Sequence, residues 1–538
     1  MYSPRTNLFE GLRLAFSQQL FPWDDYFPRM AETDWLCGRA DAEAVKSFFI
    51  RKPPFGGSYA LTGGITAALR SINELRFDRN DFSDGMLSMG YKKEFVEWLK
   101  SRKRLRLKVF APPEGRPIFA NEPAVSVVGP LADVRLVEGI ITEAMNFPTL
   151  SLTKWHRIVR TVRPGGVLEF ARRRAQDAFR TTLYGMLAGC FATSNSEMRR
   201  FFNFSIVGTM GHEWVQSFGD VRKAFKVWLN HQPSKAIGLV DTKQCLEHDF
   251  PAWLDEVYAH NEQIKNANPA IWGWRNDSGD LAYITIEQYV RFLRHPLSKD
   301  PWFVERMRIV LTNELDEYSA QSIIQQIRVE AGAAGLNAED IVRRIIWAAG
   351  TKPGTCRDQP DLGGVAKLME VENCACIKLA FDADGLPGIK TSIPGFNRSA
   401  LILGEDEEVK CLLIYPANKY EIGLDGLFRK AGTARVLHSI AAHHPDNPAA
   451  KMEIRNYLAL SQQEPVYDSL TGDGFTAFWD NPDIENVSVR IKKEVGRLHW
   501  STTRLDKPHA IKVSLTPDLF ELRQKMISQG VLREDKLS

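Results

Sequence analysis

The sequence predicts an α/β protein centred on a (β/α) barrel, on three observations. Six short apolar runs in the middle of the chain each end in a polar or glycine-rich cluster. Helical periodicities fill several of the gaps, so the order reads strand, loop, helix, strand. That order implies parallel strands joined by helical crossovers. Polar residues gathered at the C-terminal ends of many strands suit a barrel, whose reacting residues occupy that rim. An open doubly wound sheet would concentrate its chemistry at one crevice instead.

Residues 1–150 come first and read as mixed α/β. Ile65, Ala68, Leu69, Ile72 and Leu75 recur at helical spacing just after Gly63-Gly64. Leu105, Leu107 and Val109 alternate with Arg106 and Lys108, the pattern of a half-buried strand. Val134, Val137, Ile140, Ile141 and Met145 mark a second amphipathic helix.

The barrel segment, residues 151–400, carries the six runs. Val167-Leu168-Glu169-Phe170 precedes Arg172-Arg173-Arg174, and Phe204-Ser205-Ile206-Val207 precedes Gly208-Thr209. Ile237–Val240 leads to Asp241-Thr242, and Ile271–Trp274 leads to Arg275-Asn276-Asp277-Ser278-Gly279-Asp280. Ile309-Val310-Leu311 ends at Thr312-Asn313-Glu314, and Ile345-Ile346-Trp347 ends near Gly350-Thr351. Helical patterns over 221–229 and 284–293 connect some of them. In residues 401–538 the theme stops: a strand pattern over 411–415 gives way to polar loops and a final helix around Leu519, Leu522 and Met526.

Composition sets the class. A chain of 538 residues calls for two or three packed domains. Hydrophobic content of 44% and charged content of 25% are those of a globular protein, which excludes a disordered or fibrous chain. Lys and Arg total 69 against 66 Asp and Glu, a net charge of +3, too balanced for a dedicated nucleic-acid binder. No apolar stretch is long enough for a bilayer. Met1–Arg5 lacks the regions of a secretory signal, so a cytoplasmic protein without membrane attachment is expected. Seven scattered cysteines with no C-x-x-C pair point to reduced, mostly buried thiols. Cys374 and Cys376 alternate like two residues on one face of a strand.

Among 11 histidines, His212 is singled out by its glycine-flanked loop at a strand exit, where backbone can approach a ligand closely. His438, His443 and His444 have no convincing metal spacing and read as a solvated loop. The Arg275–Asp280 turn supplies one cation and two carboxylates. Turns and surface ion pairs commonly look like this. The functional reading is an arginine gripping phosphate or carboxylate while aspartates hold sugar hydroxyls or Mg2+. Gly350-Thr351-Lys352-Pro353-Gly354-Thr355 offers backbone N–H groups, hydroxyls and an ammonium at the usual barrel phosphate position, without being a Walker loop. Residue by residue, the reading reaches a barrel enzyme acting on a phosphorylated sugar.

The strings then become recognisable. They are residues 49–57 (FIRKPPFGG), Asn121-Glu122-Pro123, Glu169-Phe170 with Arg173-Arg174-Ala175-Gln176, and Thr193-Ser194-Asn195. Gly208-Thr209 with His212, Asp277-Ser278-Gly279-Asp280, Gly350-Thr351, and Pro360 with Leu362-Gly363-Gly364 follow in order. In these the chain resembles the nicotinate phosphoribosyltransferase family, from about Asp24 to the final helix.

The resemblance implies a type II phosphoribosyltransferase: an irregular (β/α) barrel beside a second α/β domain built from the N- and C-terminal segments. It implies that nicotinate is joined to 5-phosphoribosyl-1-diphosphate (PRPP), coupled to ATP hydrolysis through a phosphohistidine. His212 would be that histidine, with Asp277 and Asp280 as catalytic residues and Mg2+ ligands. Substrate-binding positions would be Tyr26, Arg173, Arg174, Asn195, Thr209, Arg275, Ser278, Gly350 and Thr351. Tyr26 would stack on the pyridine, across a homodimer interface. Catalysis at C1 of PRPP is mostly positioning and charge stabilisation, for which cations suffice. Two departures stand out: Asp177 replaces a usual glycine, and Ala348-Ala349 precedes Gly350 where the family has Gly-Ile. The rival is nicotinamide phosphoribosyltransferase, but its amide-accepting aspartate is missing from Thr193-Ser194-Asn195, where a carboxylate would repel nicotinate. A non-catalytic protein keeping the fold would have lost reacting residues that are present here.

Overall fold

The computed structural model describes Leu12, residues 20–479 and residues 483–537; the Met1–Arg5 segment lies outside these. The chain forms two units. One takes residues up to Thr153 and from Asp361 onward, the other Lys154–Pro360.

The Lys154–Pro360 unit holds a curled parallel half-barrel. Its strands are β1 (Gly166–Glu169), β2 (Ala192–Thr193), β3 (Ile237–Leu239), β4 (Trp272–Asn276), β5 (Met307–Leu311) and β6 (Ile345–Ala349). They lie in the order β2-β1-β6-β5-β4-β3, and every ladder is parallel. Trp272, Trp274 and Trp347 are fully buried, as expected where helices cover both faces of a parallel sheet. Helices Val221–His231 and Leu281–Arg294 fall where their periodicity predicts. The 204–207 run does not become a strand. Helix Met198–Phe202 ends immediately before it, and Asn203 is left-handed at φ 53°. Only one parallel bridge forms there, from Thr193 to Ile206. Among the described residues no ladder joins β3 to the β2 edge, so the expected irregular (β/α) barrel is observed as this half-barrel.

A buried ion network ties this unit to the start of its chain. The 31-residue helix Leu131–Thr161 contributes its last turns here. Lys154 Nζ lies 2.9 Å from Glu317 and 2.6 Å from Asp358, and Arg157 Nε lies 2.7 Å from Glu317. Glu317 opens helix Glu317–Ala333 and has no exposed side-chain surface.

In the other unit, a seven-stranded antiparallel sheet pairs the two chain ends. Its central strand Glu43–Ile50 is flanked by Val125–Pro130 and by Gly364–Val371. Residues from Asp361 therefore belong to this unit, and the half-barrel unit stops at Pro360. A six-stranded sheet from residues 397–515 holds Val409–Pro416 at its centre. Leu105 and Leu107 are buried as their alternation predicts, although the strand itself begins at Lys108. Gly63-Gly64 proves to be a packing device. A Cβ on Gly64 would fall 1.9 Å from the Ala144 carbonyl oxygen, and Glu114 accepts the Gly64 N–H at 2.6 Å. His443 and His444 do not form a loop: they end strand Ser439–His444, and the His443 ring stacks on Phe520 at 4.8 Å. The alternation Ser439–His444, with Ile440 and Ala442 inward, is the signal that a histidine-rich composition hid. All seven cysteines are free thiols, and Cys374 does start a short strand. Among the described residues no helix is long and apolar enough to cross a membrane.

Glu122, from the Asn-Glu-Pro string, is buried beneath this sheet. It accepts from the Phe119 N–H at 2.9 Å and the Ser399 hydroxyl at 2.8 Å. Burial pushes its carboxyl up to about 7, against the pull of those two donors. The folded state therefore holds the proton over the window from the ordinary carboxylate value, about 4.3, to about 7. Stability falls as pH rises through that window, because the native state binds more protons there than the unfolded one. Glu122→Gln removes the charge while its amide oxygen can accept the Phe119 N–H and its NH2 can donate to the Ser399 hydroxyl oxygen. Its urea-unfolding free energy is expected to lose most of this pH 4.5–7 slope; an unchanged slope would exclude Glu122 as its source.

Candidate active site

The site is assembled at the carboxyl ends of the parallel strands. β3 ends in Asp241-Thr242, β4 in Asp277-Ser278-Gly279-Asp280, and β5 in Thr312. The loop after Ile206 brings Thr209 and His212. His212 Nδ1 lies 3.0 Å from the Thr242 hydroxyl, and its Nε2 faces Asp241 at 3.9 Å and Asp277 at 3.8 Å. Gly208 and Gly211 have open space where a side chain would stand. Four sequence-predicted residues meet here. Arg275 lies in the middle of them: its guanidinium donates to Thr209 at 3.1 Å, Asp277 at 2.9 Å and Thr312 at 3.3 Å. Thr312 in turn donates to Asp277.

Asp241 is the residue the sequence reading passed over. Its side chain is 3% exposed. One oxygen accepts from the Asp277 N–H and the Ser278 hydroxyl, each at 2.7 Å. The other, Oδ1, is buried, has no hydrogen-bond partner, and is the one facing His212. A buried carboxylate oxygen left unpaired is costly unless a ligand or ion completes it. The signal was its position at a strand exit like the others, without a charged neighbour to draw notice.

Asp280 is placed differently from Asp277. It caps helix Leu281–Arg294, accepting from the Ala282 and Tyr283 N–H groups at 3.1 Å, and Gln326 donates to the same carboxylate. The Tyr283 N–H, followed by Gln326, holds its carboxyl below the ordinary value. Among the described residues no group of three or more His, Cys, Asp or Glu is arranged to hold a metal ion.

A second cluster lies on the β1–β2 rim. Glu169 is fully buried, accepts from the Ala171 N–H at 2.6 Å and from the Thr193 hydroxyl, and burial raises its carboxyl above the usual range. Asn195 is buried as well and accepts from Arg172 Nε at 2.9 Å, while its amide donates to Thr182 at 3.1 Å. Asn195 thus braces Arg172. Arg173 and Arg174 are exposed on the turn after β1, with no side-chain partner among the described residues. Gly350 follows β6 and packs against β1: a Cβ there would lie 2.7 Å from the Phe170 carbonyl oxygen. Lys352 is ion-paired with Asp316 at 2.7 Å, so its ammonium is already engaged. Tyr26, 54% exposed, begins helix Tyr26–Leu36 of the other unit.

Comparison with known proteins supplies the class and then the family. The nicotinate phosphoribosyltransferase (NAPRTase) N-terminal domain matches residues 23–146, and the nicotinate phosphoribosyltransferase C-terminal domain matches residues 414–523. The nicotinate phosphoribosyltransferase of Bacillus subtilis (strain 168) is 25% identical over 510 residues, covering 94% of each chain. Nicotinate phosphoribosyltransferase 2 of Arabidopsis thaliana is 28% identical, over 93% of this chain and 92% of its own. The fold is shared with human nicotinic acid phosphoribosyltransferase, at TM-score 0.70 and 21% identity over 94% of this chain and 99% of that one. The fold is thus one that a phosphoribosyltransferase has. The chain belongs to the nicotinate phosphoribosyltransferase family.

Proposed function

We propose that this chain joins nicotinate to PRPP, giving nicotinate mononucleotide and diphosphate, with ATP hydrolysed through transient phosphorylation of His212. The observation that carries the reading is the His212 ring, held at Nδ1 by Thr242 with Nε2 left open toward two carboxylates. With Nδ1–H donating to the hydroxyl, the Nε2 lone pair is the nucleophile for the γ-phosphoryl group, releasing ADP. Arg275 fixes Thr209 and Asp277 around that atom. Arg173 and Arg174 are the exposed cations available to the nicotinate carboxylate and the PRPP phosphates. Gly350-Thr351 is the turn for the 5-phosphate.

Mg2+ supplies neutralisation of polyphosphate charge when bound, and such ions use one or two carboxylates plus phosphate oxygens. Asp241, with its unpartnered Oδ1, fits it; Asp277 would share with it oxygens that already accept from Arg275 and Thr312. Asp280 fits it less well, because its Oδ1 caps a helix and its Oδ2 accepts from Gln326. The family resemblance adds a homodimer, with Tyr26 at the pyridine, and a cytoplasmic location.

The test is mononucleotide formation from PRPP, Mg2+ and ATP with nicotinate and nicotinamide in parallel. Preference for nicotinate is expected, since Thr193-Ser194-Asn195 carries no carboxylate. Preference for nicotinamide would sink the acid-specific reading, and turnover of neither would sink the catalytic one. At the phosphate turn, Gly350→Ala forces the new methyl against the Phe170 carbonyl. Overpacking of this kind costs 1–3 kcal/mol, so KM for PRPP should rise roughly tenfold. An unchanged KM would remove the turn from PRPP binding.

A further inference from the structure

The loop that leaves β3 does not end with the residues touching His212. After Asp241 and Thr242 come Lys243 and Gln244, then a π-helical turn, Cys245–Asp249. Asp249 is fully buried, and both of its oxygens are used. Oδ2 accepts the Lys243 backbone N–H at 2.7 Å, and Oδ1 lies 2.9 Å from His248 Nδ1. A carboxylate only accepts, so Nδ1 carries the proton and Nε2 presents its lone pair outward. The Lys243 ammonium lies 3.4 Å from that lone pair and donates one of its three N–H groups to it. Two donors remain.

Three lysines of this unit end on carboxylates, Lys352 on Asp316, Lys154 on Glu317 and Asp358, and Lys265 on Asp300, whereas Lys243 is held by the His248–Asp249 pair. Lys243 is exposed and has no carboxylate within ion-pair distance among the described residues. It is also the residue next to Thr242, whose hydroxyl touches the His212 ring. An exposed cation without a counter-ion, aimed by a chain that runs back to a buried carboxylate, is placed to meet an anion.

We infer that Lys243 binds a phosphate oxygen of a polyphosphate lying against His212, and that His248 and Asp249 are positioning residues for its ammonium. This rests on the reading of His212 given above. The shared chemistry is a phosphate chain, which arrives either as a nucleoside triphosphate or as the diphosphate of PRPP.

Calorimetric titration of the full chain with Mg2+ tests this, using a non-hydrolysable ATP analogue in one arm and inorganic diphosphate in the other. Lys243→Ala should weaken at least one of them about tenfold, the usual size of a lost charge-assisted hydrogen bond. Loss confined to the ATP analogue assigns the subsite to the triphosphate, and loss confined to diphosphate assigns it to PRPP. Lys243→Arg, which keeps the cation, should recover most of the affinity. His248→Asn keeps an amide donor for Asp249 but deletes Nε2. It should weaken the same ligand, with no further loss when combined with Lys243→Ala. Unchanged affinity for both ligands in Lys243→Ala would overturn the proposal, leaving an ordinary solvated lysine. Additive losses in the double variant would overturn the positioning role. Binding is read independently of turnover. Failure of the His212 mechanism would show as ATP stimulation surviving in His212→Ala, whereas failure here would show as wild-type binding in Lys243→Ala.

Discussion

His212→Ala is expected to abolish ATP stimulation while a slower, ATP-independent transfer from PRPP to nicotinate remains. The ring is the group with an open nitrogen between Asp241 and Asp277, and alanine leaves no acceptor for a phosphoryl group. Assays with and without ATP would check this, and full ATP stimulation in the variant would remove His212 from the mechanism. Asp241→Asn is the sharper companion. An asparagine carbonyl can still accept from Asp277 N–H and the Ser278 hydroxyl, so the turn should stand. Its amide would then occupy the place of the unpartnered oxygen and turn a donor toward His212 Nε2. Misorientation at a reacting atom commonly costs about a hundredfold. The ATP-stimulated rate should drop by about that factor with the ATP-independent rate little changed; a parallel fall in both would show that Asp241 acts on the transfer step itself.

Removal of Glu317 should have the largest effect on stability. Its carboxylate is fully buried and lies between Lys154 and Arg157. Deleting one partner of a buried ion pair leaves uncompensated charge and typically costs about 3–5 kcal/mol. Glu317→Ala is therefore expected to lower the unfolding free energy by about that amount in urea denaturation. Glu317→Gln, which keeps the shape and one acceptor, should lose less. A loss below about 1 kcal/mol for the alanine variant would mean that Asp358 and Tyr318, the other partners of these cations, carry the network unaided.

Much of this was legible beforehand because local pattern and tertiary role agreed. The runs at 167–170, 237–240, 271–274, 309–311 and 345–347 became β1, β3, β4, β5 and β6, each within a few residues. Their largely apolar character, broken only by Glu169 in the first, is the mark of a sheet covered on both faces. The 204–207 run failed because hydrophobicity says nothing about the left-handed Asn203 and the helix end just before it. β2 went unseen because two residues, Ala192 and Thr193, carry no period. In the candidate site, His212, Arg275 and Asp277 stood out through glycines and charge, and Thr209 through the family resemblance. Asp241 was missed because its importance lies in an unpaired oxygen, which a sequence does not display. Asp280 looked equivalent to Asp277 in the string, but only geometry distinguishes a helix cap from a group facing the ring. Asn195 likewise proved to brace Arg172 from within the core.

The pairing of Glu43–Ile50 with Gly364–Val371 has a bearing on biosynthesis. The ribosome releases the first of these strands roughly 300 residues before the second, a delay on the order of 15–60 s at ordinary elongation rates. Through that interval the nascent sheet has one side of a central, largely apolar strand with no neighbour to complete it. The inserted half-barrel, whose strands all lie within Lys154–Pro360, can be finished first. Newly made chains should therefore depend on chaperones until translation passes the 364–371 region. Truncations that stop short of it should aggregate, even though every residue of the His212 cluster has already been made.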